Sequence, residues 1–471
     1  MLTEFLELMK QELALSLLLF ILLIFKIAGY GKDPERWNTL VNLLLLINLG
    51  IGLLHHTTGA LFNGMFTVTS LTIFQKNILN LGMVVVSFLA NPFIRRHHHL
   101  PEFYMLMTAT LLGMFFMISS GHMLLFYLGL ELATIPLAAL ANFNLHRNSS
   151  SEGGMKMILS SAFSSALLLL GVSFLYGTTG SLAFRELSAL TLEGPLQLTA
   201  FVLLFTGFAF KLSAVPFHFW TADVYEGAPV PVAAYLSVVS KAAVAFVFTS
   251  VLYSVFGAAY PVWYTLLTTV AALTIGTGNL FALRQQNMKR FLAFSSIAQV
   301  GFILVGMSAG NREAHASVVY FLLIYLFSNL AAFNVVGLMS AQAGKENIYD
   351  YKGLYKSNPV LAWALTIALF SLAGVPPTAG FFGKLFLLTS GASTGNYLLA
   401  GFAALNMVVS MYYYLRIVKV MFMEEAEHPL LRIEMNPYPA AALVLCLAGI
   451  LVTGFSGSVY SYIHQLCFGI F

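Results

Sequence analysis

The sequence predicts an all-α polytopic membrane protein of about fourteen transmembrane helices. Hydrophobic residues make up 59% of its 471 residues and charged residues only 9%, with a mean hydropathy of +0.84, whereas ordinary soluble domains carry about 25% charged residues. Apolar runs of about twenty residues recur, long enough to span a bilayer as helices, and none shows the roughly ten-residue alternation of a barrel strand. Loop charge is the third observation. Of 23 Lys and Arg, 14 fall in loops after odd-numbered spans and three, Lys10, Arg185 and Arg312, on the opposite side. A miscounted span would scramble this split, and the positive-inside rule then puts both termini on the outer side.

Taken in order, the spans are expected at 12–30, 38–55, 68–90, 101–119, 122–143, 155–177, 197–220, 230–256, 260–283, 291–309, 314–340, 359–390, 395–422 and 436–465. The first apolar run, Leu13 to Ile27, follows Glu4, Glu7 and Glu12 and shows no small-residue cleavage pattern before Lys32, so it is read as a span and not as a signal peptide. Breaks are expected at Gly29-Tyr30-Gly31 with Pro34, Asn91-Pro92, Gly153-Gly154, Gly194-Pro195, Asn358-Pro359 and Asn436-Pro437. Only residues 119–121 separate the fourth and fifth spans.

Inside the seventh span, Leu212-Ser213-Ala214-Val215-Pro216 is echoed 160 residues later by Leu372-Ala373-Gly374-Val375-Pro376 in the twelfth. Each lies in a span with a lysine, Lys211 or Lys384. Proline interrupts a helix where only protein or water can satisfy the freed backbone, and broken helices at corresponding positions point to a transporter's site. The two passages are separated by an odd number of spans, so matching halves would be inverted.

Two cysteines, Cys446 and Cys467, are too few and too far apart for a zinc site or iron–sulfur cluster, and free buried thiols are preferred over a disulfide. Glycine-rich dinucleotide and phosphate loops are missing too. Neither a redox cofactor nor a nucleotide is therefore expected on this chain. The pI of 8.8 comes from loop Lys and Arg and does not call for nucleic acid.

The charges inside spans carry the functional reading. A lysine near the bilayer centre costs about 2.5–3.5 kcal/mol on insertion scales and needs a partner or a wet cavity. Glu131, in FYLGLELATIPLAALANF, reads as the one mid-span acid among 19, and Lys211 as its ion-pair partner; the other reading is a protonated, packed Glu. If Glu131 moves away, burial favours the neutral amine and a proton leaves. Lys241 and Lys384 have no acid in their own spans, so the second half reads as a cation-only path. Lys156, at the start of the sixth span, either reaches inward or is a cytoplasmic-side charge. His218 either passes a proton or is a hydrogen-bonded structural histidine. His97-His98-His99 beside Arg95-Arg96 reads as a solvated loop before a metal tract, and Lys76 as facing a subunit interface.

With these residues in view, FYLGLELATIPLAALANF, GGMKMILSSAFSSALLLLGVSFLYGTTGS, AFKLSAVPFHFWTADVYEGAPVPVAAYLSVVSKAAVAF, NMKRFLAFSSIAQVGF and LAGVPPTAGFFGKLFLL resemble the N-type, antiporter-like subunits of respiratory complex I, from about Glu102 to Phe422. DVYEGAPVP is the most specific stretch. The resemblance implies fourteen helices: an N-terminal trio over 1–100, inverted five-helix repeats over 101–256 (helices 4–8) and 257–422 (helices 9–13) with helices 7 and 12 broken, and a C-terminal helix over 423–471. It implies a proton-pumping unit in which Glu131, Lys211, Lys241 and Lys384 match the family's proton-transfer residues, with Lys156 and His218 at less central positions. It also implies other membrane-arm subunits as partners, including M- and K-type antiporter-like neighbours, a quinone bound by other subunits, and a bacterial inner membrane as location. Gln299 stands where many relatives carry histidine, and Ala222 and Ser240 where proline is often found.

The leading expectation is a subunit that couples quinone reduction elsewhere in a NADH-quinone oxidoreductase to proton transfer. The alternatives are a stand-alone or Mrp-type cation/proton antiporter, disfavoured by the lack of a carboxylate-rich cation site in the second half, and a membrane subunit of a related hydrogenase.

Overall fold

The computed structural model describes residues 2–29, 34–95, 97, 99–426 and 432–467. Of the loop residues weighed above, Tyr30, Gly31, Lys32, Arg96 and His98 lie outside them. Twelve helices among the described residues are long and apolar enough to cross a membrane, as expected of a polytopic all-α membrane protein. Each of the fourteen expected segments coincides with a helix or a broken pair of helices. Lys10–Ile27 carries three charges, Lys10, Glu12 and Lys26, and the twelfth segment divides into the shorter apolar helices Pro359–Ala373 and Ala379–Ala392.

Three helices form the centre. In Val230–Ser254, Met288–Met307 and Arg312–Ala343, 94% of the apolar 18-residue stretch is buried, whereas in Tyr397–Met423 and Pro437–Phe455 the share is 28% and 33%, and these form part of the outer wall. A helix enclosed on every side must satisfy its polar side chains within the protein, and these three carry Ser237, Lys241, Ser296, Gln299 and Asn329. Glycine brings two helix pairs into backbone contact. A Cβ on Gly113 would lie 2.4 Å from Ala133 N, and one on Gly278 would lie 2.5 Å from Ala298 N. The first contact joins Leu100–Ile118 to Met123–Ala141, and the second joins Tyr260–Leu283 to Met288–Met307.

Both expected helix breaks are present. Pro195–Leu212 stops where Ser213 turns left-handed (φ 64°) and the Ala214 N–H bonds back to Ala209 O. Pro359–Ala373 stops at Gly374 (φ 85°), with the Val375 N–H on Phe370 O. In the echo, Ser213 corresponds to Ala373, so the left-handed residue is shifted by one position. For serine this conformation costs about 1–2 kcal/mol, and packing against the surrounding helices must hold it.

Several sequence expectations are corrected. Ser70–Ile94 continues through Pro92, and Asn148–Thr179 runs through Gly153-Gly154. Those glycines serve close packing and do not break the helix, because a Cβ on Gly154 would lie 2.5 Å from Asn142 Cβ. The connection after the second helix contains a small antiparallel hairpin, Gly59–Leu61 with Phe66–Val68, which latches onto the tight 119–121 turn through Thr67 N–H to Ser119 O and Gly121 N–H to Met65 O, both 2.8 Å.

Lys76 faces no interface. It is fully buried, with its Nζ 2.5 Å from Glu12 Oε1 and 5.2 and 5.8 Å from the Phe66 and Phe115 rings. Glu12, read from sequence as a residue at the edge of the first span, is its buried counter-charge. The error arose because the partner lies 64 residues away on another helix. Glu12→Ala or Lys76→Ala alone should cost about 3–5 kcal/mol by stranding a buried charge, whereas the double variant Glu12→Met/Lys76→Met should recover most of that loss. Thermal unfolding of the detergent-extracted protein measures this, and a double variant no more stable than the singles would refute it.

Candidate functional site

The site is built from lysines lacking carboxylate partners. Lys211 lies in the last turn of Pro195–Leu212, where the helix dipole favours a cation. Its Nζ donates to Ser161 Oγ (2.6 Å) and Thr134 Oγ1 (2.9 Å). The expected ion pair with Glu131 is not among the described contacts. Glu131 precedes Thr134 by three residues on the same helix face, half-buried, and its Oε1 is without a hydrogen-bond partner. Thr134 takes a hydrogen-bonding place beside the ammonium, and the Glu131 carboxylate acts on it electrostatically without an ion-pair contact.

A cavity of about 20 Å³, room for roughly one water molecule, lies beside Lys211 and reaches Leu236 and Ser240. Those residues open and close a π-helical turn, Leu236–Ser240, immediately before Lys241. Lys241 is buried, donates to Ser296 Oγ (2.8 Å), and lies 5.5 Å from the Tyr225 ring centroid. From the same π-turn, Ser237 joins Tyr325 Oη (3.0 Å) and Asn329 Nδ2 (2.7 Å).

A second hydrogen-bonded set lies on the same helix. Ser295 Oγ and Tyr414 Oη are 2.5 Å apart, and Gln299 Nε2 donates to Tyr414 Oη (3.2 Å) and Leu372 O (2.9 Å). Lys384 Nζ donates to the same Leu372 O (2.8 Å) and to Ala373 O (3.2 Å), with the Phe302 ring centroid 4.7 Å away. These carbonyls are free because the helix stops at Ala373. A Cβ at Gly374 would press to 3.2 Å on Lys384 Cδ, so glycine also clears the lysine's way.

Met288–Met307 thus carries in one line Ser296, which holds Lys241, and three residues later Gln299, which shares the Leu372 carbonyl with Lys384, while the small cavity beside Lys211 reaches Ser240, next to Lys241. His218 is elsewhere, buried in the helix break with its ring 4.4 Å from that of Phe219 and Nδ1 unpartnered. Lys156 belongs to a half-exposed ionic cluster. Its Nζ is 2.6 Å from both Glu152 and Asp223, and Arg290 Nη1 is 2.7 Å from both Asp223 and Glu226. Lys289, also buried, donates to Glu226 O (2.5 Å) and Ala228 O (3.3 Å); Arg147 binds Glu346 (3.3 Å) beside a cavity of about 170 Å³. Sequence reasoning missed Thr134, Ser161, Ser296, Tyr325, Asn329 and Tyr414. The available signal was a neutral hydroxyl or amide inside a run long enough to be enclosed. Among the described residues no group of three or more His, Cys, Asp or Glu could hold a metal, and Cys446 and Cys467 are free and buried.

Residues 120–410, which contain this line apart from Tyr414, match the model of the NADH:quinone oxidoreductase/Mrp antiporter transmembrane family. The chain belongs to that family. It is 43% identical to NADH-quinone oxidoreductase subunit N of Azobacteroides pseudotrichonymphae over 98% of both chains. It also superposes on a chain of respiratory complex I from Thermus thermophilus with a TM-score of 0.79 at 30% identity, covering 94% of this chain and 96% of that one. A chain of the Mrp complex from Dietzia sp. shares the fold, with a TM-score of 0.87 at 18% identity and coverage of 97% and 96%.

The ionic cluster has a pH signature in this antiporter-family chain. Burial alone would push the Asp223 and Glu346 carboxyls up, but Lys156 and Arg290 beside Asp223, and Lys289 and Arg147 beside Glu346, hold both below their ordinary values of 3.8 and 4.5. Their stabilising contribution is present above those values and is lost as pH falls through the lower folded-state values. Melting temperature in detergent should therefore drop as pH falls below about 4, with a shallower drop in Asp223→Asn. Equal slopes in the two proteins would contradict this assignment.

Proposed function

We propose that the chain is a proton-translocating, antiporter-like membrane-arm subunit of a NADH-quinone oxidoreductase, in which quinone reduction in other subunits drives proton transfer along Glu131, Lys211, Lys241 and Lys384. The observation that carries this reading is a pair of hydrogen-bonded sets on the enclosed helix Met288–Met307: Lys241 with Ser296, and Ser295 and Gln299 with Tyr414 and the Leu372 carbonyl shared with Lys384. The name of the 43% identical relative supports the same assignment over the Mrp alternative, whose match at 18% identity speaks only for the fold.

The chemistry is proton exchange between amines and their neutral neighbours. An ammonium gives up one proton and becomes an amine; a hydroxyl accepts a proton on a lone pair while releasing its own. Gln299 donates hydrogens to Tyr414 and Leu372 O, so it orients the line and does not hold the excess proton. Glu131, half-buried and on the same helix face as Thr134, is placed to pair with the Lys211 ammonium when its side chain swings toward it. Lys156 and His218 act at the margins of this path.

The architecture supports inverted repeats over 101–256 and 257–422. Each would begin with a glycine-packed helix pair and hold its broken helix in fourth place. The helices over 1–100 and 423–471 flank them, with both termini on the outer side of a bacterial inner membrane and no cofactor on the chain. Partners are the neighbouring membrane-arm subunits.

Purification in mild detergent should yield the other subunits together with quinone-reductase activity. In that complex Glu131→Ala should reduce redox-driven proton transport several-fold at normal assembly. Lys384→Ala and Lys384→Arg should lose it to the same extent, because Arg stays charged. Wild-type transport in Lys384→Arg would remove Lys384 from the path.

A further inference from the structure

The short helix Phe219–Gly227, in the DVYEGAPVP stretch, presents different chemistry on two faces. Asp223 and Glu226 are three residues apart, about 60° around the helix axis, while Tyr225 lies about 200° from Asp223. The two carboxylates face the cytoplasmic-side cluster, where Arg290 Nη1 is 2.7 Å from each and Lys156 is 2.6 Å from Asp223. Tyr225 faces the core, fully buried, with its ring centroid 5.5 Å from Lys241 Nζ. The end of the helix is fastened as well. Lys289 takes the Glu226 and Ala228 carbonyls, and a Cβ on Gly227 would lie 2.1 Å from Ser149 O, so the helix is pressed against Asn148–Thr179 with no room to slide.

We propose that the clamp of Arg290 and Lys156 on Asp223 and Glu226 positions Tyr225 over the Lys241 ammonium, making Asp223 and Arg290 positioning residues for the proton path. This rests on the functional reading above. A ring face within about 6 Å attracts a cation and not its neutral form, so the tilt of this helix sets how firmly Lys241 keeps its proton. Lys156 belongs to the first of the two inferred halves and Arg290 to the second, so relative movement of the halves at the cytoplasmic rim reaches Lys241 through this one helix. Ser296 from Met288–Met307 accepts the Lys241 hydrogen bond, and the adjoining π-turn carries Ser237 bonded to Tyr325 and Asn329, all neutral groups. Among the described residues no carboxylate forms an ion pair with it.

The test is the pH profile of redox-driven proton transport in the assembled complex. Tyr225→Leu should move the alkaline limb to lower pH by about half to one unit, and Tyr225→Phe, which keeps the ring, should restore the wild-type profile. Asp223→Asn should move the limb in the same direction, and Asp223→Asn/Tyr225→Leu should move it no further than Tyr225→Leu alone. Additive shifts, or identical profiles for Tyr225→Leu and Tyr225→Phe, overturn the proposal. If Asp223→Asn does not assemble, Arg290→Gln removes the same cross-link from the other side, and the Leu/Phe comparison decides alone. A Lys241→Met complex with intact transport would defeat the functional reading itself. Loss of transport in that variant alongside a wild-type profile in Tyr225→Leu would defeat only the clamp.

Discussion

A buried cation without a carboxylate must be held by dipoles, and the broken helices supply them. The last carbonyls of a helix have no intrahelical partner, and in a membrane interior nothing but protein or trapped water can take them. Pro359–Ala373 ends with the Leu372 and Ala373 carbonyls aimed at Lys384, and Pro195–Leu212 ends with Lys211 in its own final turn. At Lys384 the negative end of a half-helix meets an ammonium, while the Lys211 ammonium is held by the Ser161 and Thr134 hydroxyls. The helix break and the buried lysine thus satisfy each other's unmet needs: neither an unbroken helix beside Lys384 nor a break without a lysine would be easily accommodated.

That mutual dependence shapes the rest of the core. Lys211 and Lys384 lie at two different helix breaks, and the three enclosed helices at the centre carry polar residues that would be costly if left unpaired. The π-turn before Lys241 accommodates one extra residue, which directs Ser237 and Ser240 to different neighbours: Ser237 to Tyr325 and Asn329, and Ser240 to the small cavity beside Lys211. A regular helix would have spaced these groups differently. Ser240, where proline was expected from the resemblance, is the residue that closes this turn.

Hydropathy, loop charge and the proline echo were enough to place the spans and both breaks, because these are properties of single segments. Boundaries failed where packing overruled local chemistry: Pro92 and Gly153-Gly154 read as breakers, yet each lies within a continuous helix held by its neighbours. The lysines were visible because a charge in an apolar run is conspicuous. Their neutral partners were not, since Thr134, Ser296 and Tyr414 look like ordinary helix residues until two distant helices meet. Glu131 and Lys211 illustrate the same limit: sequence offers both charges, but tertiary packing sets Thr134 and Ser161 as the hydrogen-bond partners of the ammonium.

Lys76 differs from Lys241 and Lys384 in partnership and not in burial. It is as deeply buried as Lys384, but its ammonium lies 2.5 Å from Glu12 and beside two aromatic rings. This pair lies outside residues 120–410, the part of the chain that matches the antiporter family. Lys241 and Lys384 meet only hydroxyls, carbonyls and one ring each. Neutral dipoles stabilise an ammonium less than a contacting carboxylate does. Under the proposed function, neutral neighbours are what would suit Lys241 and Lys384 to releasing a proton, whereas a purely structural cation would be paired as Lys76 is.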